Sequence, residues 1–273
     1  MTGWTERVVD AGGAPLTILE AGAGEPVLLL HGELGPAPWQ QWHADLAGRR
    51  RLIQPVLPGF ATQRLGWIRD VRDLAMFMSQ VLRTLGERPI DVVGFSFGGW
   101  IAAEMAAANP EQFRHMSLVA PFGIKPSEGF ITDMFIGTAA DYIVAAFADP
   151  SRCPEFSALY ERPSPARLEA WEDARRECAQ LAWQPYMFDP SLEPLLAGAD
   201  GPPSLIVWGD QDRIVPESAM RAYARALPQS RLAILKDCGH QPEIERRSEF
   251  VALIDSAMAQ SASTGPFHQL VGG

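Results

Sequence analysis

Residues 94–98 of this chain read Gly-Phe-Ser-Phe-Gly, a pattern that places Ser96 between two glycines. An apolar strand candidate, Ile90–Val93, leads into the pattern, and a helix candidate, Gly99–Asn109, follows it. This setting exposes the serine hydroxyl at the edge of a sheet, where it can act as a nucleophile. The alternative is that Ser96 caps a glycine-rich turn of a nucleotide-binding fold. Neither the G-x-G-x-x-G nor the P-loop pattern occurs here, which favours the nucleophile.

A serine hydroxyl needs a base to remove its proton before it attacks. Of the five histidines, only His240 follows a strand candidate and lies in a turn, which favours it as the general base. His43 and His115 are expected at the surface, and His268 lies in the C-terminal tail. His31 is expected to orient its own turn through hydrogen bonds. A structural loop histidine is the alternative interpretation of His240.

Two carboxylates follow the strand candidate Ser204–Trp208, and either could orient the imidazole of His240. A carboxylate in this role fixes the tautomer of the base and stabilises its protonated form. Asp212 is the first choice and Asp210 the second, and the alternative is that both cap the following turn or helix. The catalytic order along the chain is then serine, aspartate, histidine.

A glycine turn after another strand candidate supplies the last element of such a site. Residues 28–33 read Leu-Leu-Leu-His-Gly-Glu, and the backbone N–H groups of Glu33 and Phe97 could converge on a carbonyl oxygen as an oxyanion hole. The carboxylate of Glu33 is unusual there. It would oppose negative charge unless it points away, is paired, or binds a cationic group of the substrate.

Strand and helix candidates alternate over the first 120 residues and again near the C-terminus, which predicts parallel strands joined by crossovers. The predicted fold is therefore α/β, with residues 1–121 and 200–260 forming the core. Residues 122–199 contain many prolines and several helical segments and are interpreted as an inserted helical cap. Extra core helices are the alternative. Residues 261–273 are predicted to form a loose tail.

Composition excludes several classes of function. The chain has 273 residues, a formal net charge of −10 and no basic run longer than residues 49–51, which are interpreted as a solvated strand entry, and this argues against nucleic-acid binding. Three cysteines without paired spacing argue against disulfides and a zinc site, and no ligand cluster suggests a metal or an organic cofactor. No secretory signal or stretch of about 18 apolar residues is present, so a soluble cytoplasmic protein acting on a small molecule is expected. The oligomeric state is not readable.

Over about residues 15–260 the chain resembles the α/β-hydrolase superfamily. The resemblance rests on His31-Gly32, the turn around Ser96, the segment 209–216 and the Cys-Gly-His of residues 238–240. It implies a mostly parallel eight-stranded sheet with flanking helices and a helical cap after the sixth strand. In the family pattern the acid lies three residues after the glycine, which selects Asp212 over Asp210. A serine at position 96 argues against the dehalogenase and epoxide-hydrolase branches, which attack with a carboxylate.

The resemblance departs from the family pattern at one further place. Residues 56–59 read Val-Leu-Pro-Gly, without the aspartate that often precedes the Pro-Gly pair. That position is structural in the family, so the departure leaves the predicted triad intact.

The expected reaction is hydrolysis of a small, largely apolar carboxylic ester or lactone through an acyl-enzyme on Ser96. Carbon–carbon bond hydrolysis with the same triad is the nearest alternative, and a slow-turnover, receptor-like binding protein is another. The cap contains large apolar residues that suit a substrate pocket. Those named as pocket residues are Trp183, Met187 and Phe135.

Overall fold

The computed structural model describes residues 3–261, and within this range eight strands form one sheet. The strands are β1 (Thr5–Asp10), β2 (Pro15–Ala21), β3 (Pro26–Leu30), β4 (Arg51–Pro55), β5 (Ile90–Phe95), β6 (Phe113–Val119), β7 (Ser204–Gly209) and β8 (Ser230–Leu235). Their spatial order is β1-β2-β4-β3-β5-β6-β7-β8, with β1 and β2 antiparallel to their neighbours and the other pairs parallel. The mostly parallel eight-stranded sheet predicted from the sequence is confirmed.

Ten α-helices accompany the sheet within the described residues. They are α1 (Gln41–Ala47), α2 (Val71–Leu85), α3 (Phe97–Ala108), α4 (Ala139–Ala146), α5 (Pro154–Leu159), α6 (Pro165–Ala182), α7 (Leu192–Ala197), α8 (Glu217–Ala226), α9 (Pro242–Glu245) and α10 (Arg247–Ser261). Buried apolar residues form two clusters, one on each face of the sheet. None of the helices in residues 3–261 combines the length and apolar character needed to cross a bilayer. Of the predicted tail, residues 262–273 lie outside the described residues.

Two helices follow β8, and they meet at Arg246: α9 is short, and α10 is the long C-terminal helix. The carboxylate of Glu245 accepts hydrogen bonds from the backbone N–H groups of Gly239 and Ala148, at 2.7 and 2.9 Å. These contacts fix Glu245 at the end of α9, and α10 begins two residues later.

The turn between β5 and α3 is sharply constrained. Ser96 has φ 49° and ψ −109°, a backbone conformation that non-glycine residues rarely adopt. A Cβ atom on Gly94 would lie 2.6 Å from the carbonyl oxygen of Gly98, and a Cβ atom on Gly98 would overlap the carbonyl oxygen of Leu30. Both glycines are therefore required by space, and the turn packs directly against the end of β3.

The chain between β6 and β7 carries α4, α5, α6 and α7 and is called the insertion, residues 120–203. It leaves the sheet at the same edge as the turn that holds Ser96, because β5 and β6 are parallel neighbours. Helices α4 and α6 of the insertion pack against each other. The buried side chains of Tyr142 on α4 and Trp171 on α6 both contribute to the interior.

We expect Gly98→Ala to lower the free energy of unfolding by about 1–3 kcal/mol, because the added methyl group overlaps the backbone of β3. Gly66→Ala is the matched control, since a Cβ atom on this exposed glycine meets nothing within 4 Å. It should change stability by no more than about 0.5 kcal/mol. Urea unfolding followed by tryptophan fluorescence measures both, and equal stabilities would contradict the packing of the turn.

Candidate active site

Three side chains from separate segments meet at the carboxyl edge of the sheet. Ser96 follows β5, Asp212 follows β7 and His240 follows β8. The Nε2 atom of His240 lies 2.8 Å from the Oγ atom of Ser96, and its Nδ1 atom lies 2.8 Å from Oδ2 of Asp212. Both distances are those of hydrogen bonds. The structure therefore brings together the serine, histidine and aspartate that the sequence singled out, in one continuous chain.

The carboxylate of Asp212 is held by its own turn. Its Oδ1 atom accepts hydrogen bonds from the backbone N–H groups of Ile214 at 2.7 Å and Val215 at 3.0 Å, which leaves Oδ2 for the imidazole. Asp210, the second choice from the sequence, instead forms an ion pair with Lys236 at 3.3 Å. The geometry thus selects Asp212 as the partner of His240.

The insertion contributes to the placement of the histidine. The backbone N–H of His240 donates to the carbonyl oxygen of Ala146, at the end of α4, over 2.6 Å. The ring of Phe122 lies 5.9 Å from the imidazole, centre to centre. The position of His240 consequently depends on the insertion as well as on β8.

The electrostatic environment distinguishes His240 from the other histidines of residues 3–261. Burial lowers the pKa of His31 to about 4, that of His43 to about 3 and that of His115 to about 4, and the charge of Arg231 also lowers the last. The expectation that His43 and His115 lie at the surface was wrong: both are buried. The local sequence around a histidine does not reveal how closely distant parts of the chain pack around it.

For His240, burial also opposes the charged form, but nearby negative charge outweighs it. The charge and hydrogen bond of Asp212, with the charges of Glu33 and Glu243, raise the pKa of His240 to about 9. The negative charge around the imidazole therefore favours its protonated form. Such stabilisation is useful to a general base at the moment when it accepts a proton.

The turn after β3 is ordered by His31. Its Nε2 atom accepts a hydrogen bond from the backbone N–H of Leu57 at 3.1 Å, so its Nδ1 atom carries the proton and donates to the carbonyl oxygen of Gly32 at 2.9 Å. A Cβ atom on Gly32 would lie 3.6 Å from Cβ of Ser96, which places this backbone beside the serine. The role expected for His31, orienting the turn, matches these contacts.

The two predicted oxyanion donors lie on either side of the serine. Phe97 is the first residue of α3, where backbone N–H groups have no acceptor within the helix. Glu33 follows Gly32 in the turn after β3 and lines the cavity that contains Ser96. The two segments are therefore adjacent to the hydroxyl of Ser96.

The carboxylate of Glu33 has a partner from the insertion. Its side chain is buried, and its Oε1 atom accepts a hydrogen bond from the hydroxyl of Tyr142 at 2.8 Å. Burial and the neighbouring charge of Glu33 raise the pKa of the Tyr142 phenol, which keeps the hydroxyl protonated as a donor. Of the three possibilities raised by the sequence for Glu33, pairing is the one that the structure contains.

A cavity opens from Ser96 and His240 between the sheet edge and the insertion. Its apolar and aromatic wall comes from both parts of the chain and consists of Leu34, Trp42, Phe95, Val119, Ile143, Ala146, Phe147, Tyr160 and Trp171. Polar side chains also line it: Gln40, Gln54, Arg167, Gln241 and Glu243. The part of the cavity wall formed by the insertion is thus mostly apolar, with Arg167 as its charged residue, and the other polar groups named here lie on the core side.

The three pocket residues named from the sequence do not line this cavity, so that prediction was wrong. Trp183 is 48% exposed and packs edge-on against Phe135 and Tyr186 on the outside of the insertion. Met187 is buried in the apolar core. These residues have the right chemistry for a pocket, but Trp183 and Met187 follow α6, Phe135 precedes α4, and none of the three lines the cavity.

Sequence reasoning missed three residues that shape the site. Tyr142, Glu243 and Gln40 all line the cavity. Glu243 is only three residues after His240, and this short spacing in the sequence could have indicated that its carboxyl group lies near the imidazole. Tyr142 lies on α4 and Gln40 directly before α1, in segments without a motif, and only the fold brings them to the cavity. Within residues 3–261, no group of three or more His, Cys, Asp or Glu side chains is placed to hold a metal ion.

The sequence of this chain is similar to those of known proteins with different activities. The chain is 26% identical to 2-hydroxy-6-oxo-2,4-heptadienoate hydrolase of Pseudomonas putida, over 93% of this chain and 96% of that protein. It is 26% identical to pimeloyl-[acyl-carrier protein] methyl ester esterase of Aeromonas hydrophila, over 86% of this chain and 95% of the esterase.

Solved structures give the same picture of the fold. A meta-cleavage product hydrolase from Pseudomonas fluorescens superimposes with a TM-score of 0.78 at 19% identity, covering 93% of this chain and 98% of that one. A profile of the alpha/beta hydrolase family matches residues 27–253. The eight-stranded sheet, the order of its strands and this match lead to one conclusion: the chain belongs to the alpha/beta hydrolase family.

Proposed function

We propose that this hydrolase is a serine esterase that cleaves a small, largely apolar carboxylic ester or lactone. The observation that carries the proposal is the hydrogen-bonded chain from Ser96 through His240 to Asp212, at 2.8 Å for each link, inside a cavity. A serine, an imidazole and a carboxylate in this order activate the hydroxyl for attack on a carbonyl carbon. The reaction needs no electron transfer, only movement of protons and one acyl group.

The mechanism follows from the atoms that face one another. Nε2 of His240 takes the proton of Ser96 as Oγ forms a bond to the carbonyl carbon. The carbonyl oxygen becomes an oxyanion that the backbone N–H groups of Glu33 and Phe97 stabilise. The imidazolium then protonates the departing alcohol oxygen, which leaves an acyl-enzyme. Water, deprotonated by the same imidazole, cleaves the acyl-enzyme to the acid and restores Ser96.

The cap proposed for residues 122–199 supports a small apolar substrate. Its Ile143, Phe147 and Trp171 line the cavity opposite the sheet edge. Such side chains exclude water, and electrostatic interactions strengthen where water is excluded. An acyl or alkyl group of modest size would fill the space between them and the serine.

Carbon–carbon bond hydrolysis is the second candidate, because the relative from Pseudomonas putida is named as a hydrolase of a heptadienoate, which carries a carboxylate. Two buried acidic side chains, Glu33 and Glu243, line the cavity of this chain. The guanidinium of Arg167, also at the cavity, lies over the rings of Tyr160 and Trp171. The charge of Glu33 repels a carboxylate whereas the guanidinium of Arg167 attracts one, so the choice between the two candidate reactions rests on the substrate panel below.

We expect Ser96→Ala to lower kcat for p-nitrophenyl butyrate by about 10⁴–10⁶-fold, because no other group replaces the nucleophile. Ser79→Ala is the matched control, since the hydroxyl of Ser79 is buried in α2 without a hydrogen-bond partner. It should retain wild-type kcat. A fluorophosphonate probe should modify Ser96 and no residue of the Ser96→Ala variant. Equal rates in the wild type and Ser96→Ala would remove Ser96 from the mechanism.

The pH dependence of kcat/KM should report the protonation of His240. The imidazole is a base only when neutral and its pKa is raised to about 9, so kcat/KM should rise with pH through that value. In Asp212→Asn the main interactions that raise this pKa are absent. The inflection should move to lower pH by more than about one unit, and the plateau should fall about 10⁴-fold.

Asp210→Asn is the matched control for this measurement, because Asp210 pairs with Lys236 rather than with the imidazole. Its inflection should coincide with that of the wild type. An inflection that stays in place in Asp212→Asn would contradict the coupling of Asp212 to His240.

The two candidate reactions differ in their products. With a panel of short-chain esters and a 2-hydroxy-6-oxo-dienoate, we expect kcat/KM for the best ester to exceed that for the dienoate by at least about tenfold, a difference of about 1.4 kcal/mol. Mass spectrometry of the products identifies which bond breaks. A preference for the dienoate would establish carbon–carbon bond hydrolysis. Tight binding with modification of Ser96 but negligible turnover would establish a ligand-binding role.

A further inference from the structure

Three polar side chains on the core side of the cavity each keep one polar atom without a partner. They are Gln40 before α1, Gln54 on β4 and Glu243 on α9, and all three line the cavity that contains Ser96. Each is more than nine-tenths buried, with 4%, 3% and 7% of its surface exposed. The unpartnered atoms are Nε2 of Gln40, Nε2 of Gln54 and Oε2 of Glu243. A buried polar atom without a hydrogen bond costs about 1–3 kcal/mol, so a bound group that satisfies these atoms is favoured.

The orientation of Gln40 is determined by its neighbour. The indole N–H of Trp42 donates to Oε1 of Gln40 over 2.5 Å. Because an indole nitrogen can only donate, the amide oxygen of Gln40 must face it, and the NH₂ group is the end left without a partner. The backbone N–H of Gln40 also donates to Nδ1 of His43, which holds this residue in place. Gln40 is therefore a preorganised hydrogen-bond donor.

Glu243 supplies the complementary group. Burial is the main cause that raises the pKa of its carboxyl group to about 8, and the charges of Glu245 and Glu33 add to it. Its Oε2 atom can accept a hydrogen bond when ionised and can also donate one when protonated. Tyr160 lies near both groups: burial raises the pKa of its phenol, the charge of Glu243 raises it further, and a contact with the Gln40 side chain that is too long for a full hydrogen bond opposes this.

We propose that Gln40 and Glu243, assisted by Gln54, form a subsite that binds an uncharged hydroxyl group of the substrate. The preferred substrates are then esters or lactones that carry a hydroxyl group in addition to the scissile bond. This inference rests on the proposed esterase function and specifies its substrate class. These residues determine specificity and take no part in the proton transfers.

The chemistry of the subsite selects a hydroxyl group over the charged alternatives. A hydroxyl oxygen accepts from the amide of Gln40 while its proton is donated to Glu243, so both groups are satisfied at once. An ammonium group has no lone pair for the amide. A carboxylate can accept from the amide of Gln40 but has no proton to donate to an ionised Glu243, and the charge of Glu33 repels it, whereas a hydroxyl group satisfies Glu243 in either protonation state.

The test compares matched pairs of esters by their ratio of kcat/KM. The acyl arm uses ethyl butyrate with its 2-, 3- and 4-hydroxy derivatives, and the alcohol arm uses propyl acetate with 3-hydroxypropyl acetate. Monoethyl succinate supplies the carboxylate. In the wild type, at least one hydroxylated ester should exceed its parent by about tenfold or more, since a site built to bind a hydroxyl group discriminates against its absence.

Glu243→Met and Gln40→Met replace the hydrogen-bonding groups by an apolar chain of similar volume. Each should reduce the hydroxyl-to-parent ratio below about threefold, as expected when one or two hydrogen bonds are lost. Glu249→Met, at an exposed position on α10, is the matched control and should keep the wild-type ratio. Circular dichroism establishes that each variant is folded before its ratio is used.

A second measurement is independent of turnover. Calorimetric titration of Ser96→Ala with the same ester pairs gives a ratio of dissociation constants, which should show the same preference and lose it in Ser96→Ala/Glu243→Met. Ratios near one for every pair would overturn the subsite and assign the three atoms to bound water. A preference for monoethyl succinate would also overturn it. Selective binding without turnover by the wild type would retain the subsite and reject the esterase proposal.

Discussion

The site depends on one buried interaction, the hydrogen bond between the Asp212 carboxylate and the His240 imidazole. Burial is the main cause that lowers the pKa values of the other described histidines to about 3 to 4, and it acts on His240 as well. The carboxylate reverses this effect, and its own position is secured by the N–H groups of Ile214 and Val215. A proton arriving on the imidazole therefore meets a charge that is already in place, which removes the need for reorganisation.

The sheet supplies the geometry for this interaction. Parallel strands β5, β7 and β8 end at the same edge, so residues more than a hundred positions apart in the chain come within hydrogen-bond distance. The strained backbone at Ser96 is held in place by close packing of Gly94 and Gly98 against the neighbouring backbone. The fold of this turn and the exposure of the Ser96 hydroxyl therefore both require glycine at positions 94 and 98.

Local patterns predicted much of this arrangement. Continuous apolar runs before glycine turns located the parallel strands, and the motifs around Ser96, Asp212 and His240 depend on short segments that the sequence displays directly. The cavity wall could not be predicted in that way. Whether Trp171 or Trp183 faces the serine depends on how α6 packs on α4. The residue type is the same at both positions, so the sequence does not distinguish them. The burial of His43 similarly follows from tertiary contacts that no local period encodes.

The hydrogen bond from His240 to the carbonyl oxygen of Ala146 has a consequence for the exchange of parts between homologous enzymes. Arg213, next to Asp212, donates to the carbonyl oxygens of Ala145 and Phe147 in the same stretch of chain. The main chain at residues 145–148 therefore holds both His240 and Arg213 in position through hydrogen bonds. A chimaera that replaces the insertion by that of a relative must therefore keep these main-chain hydrogen bonds.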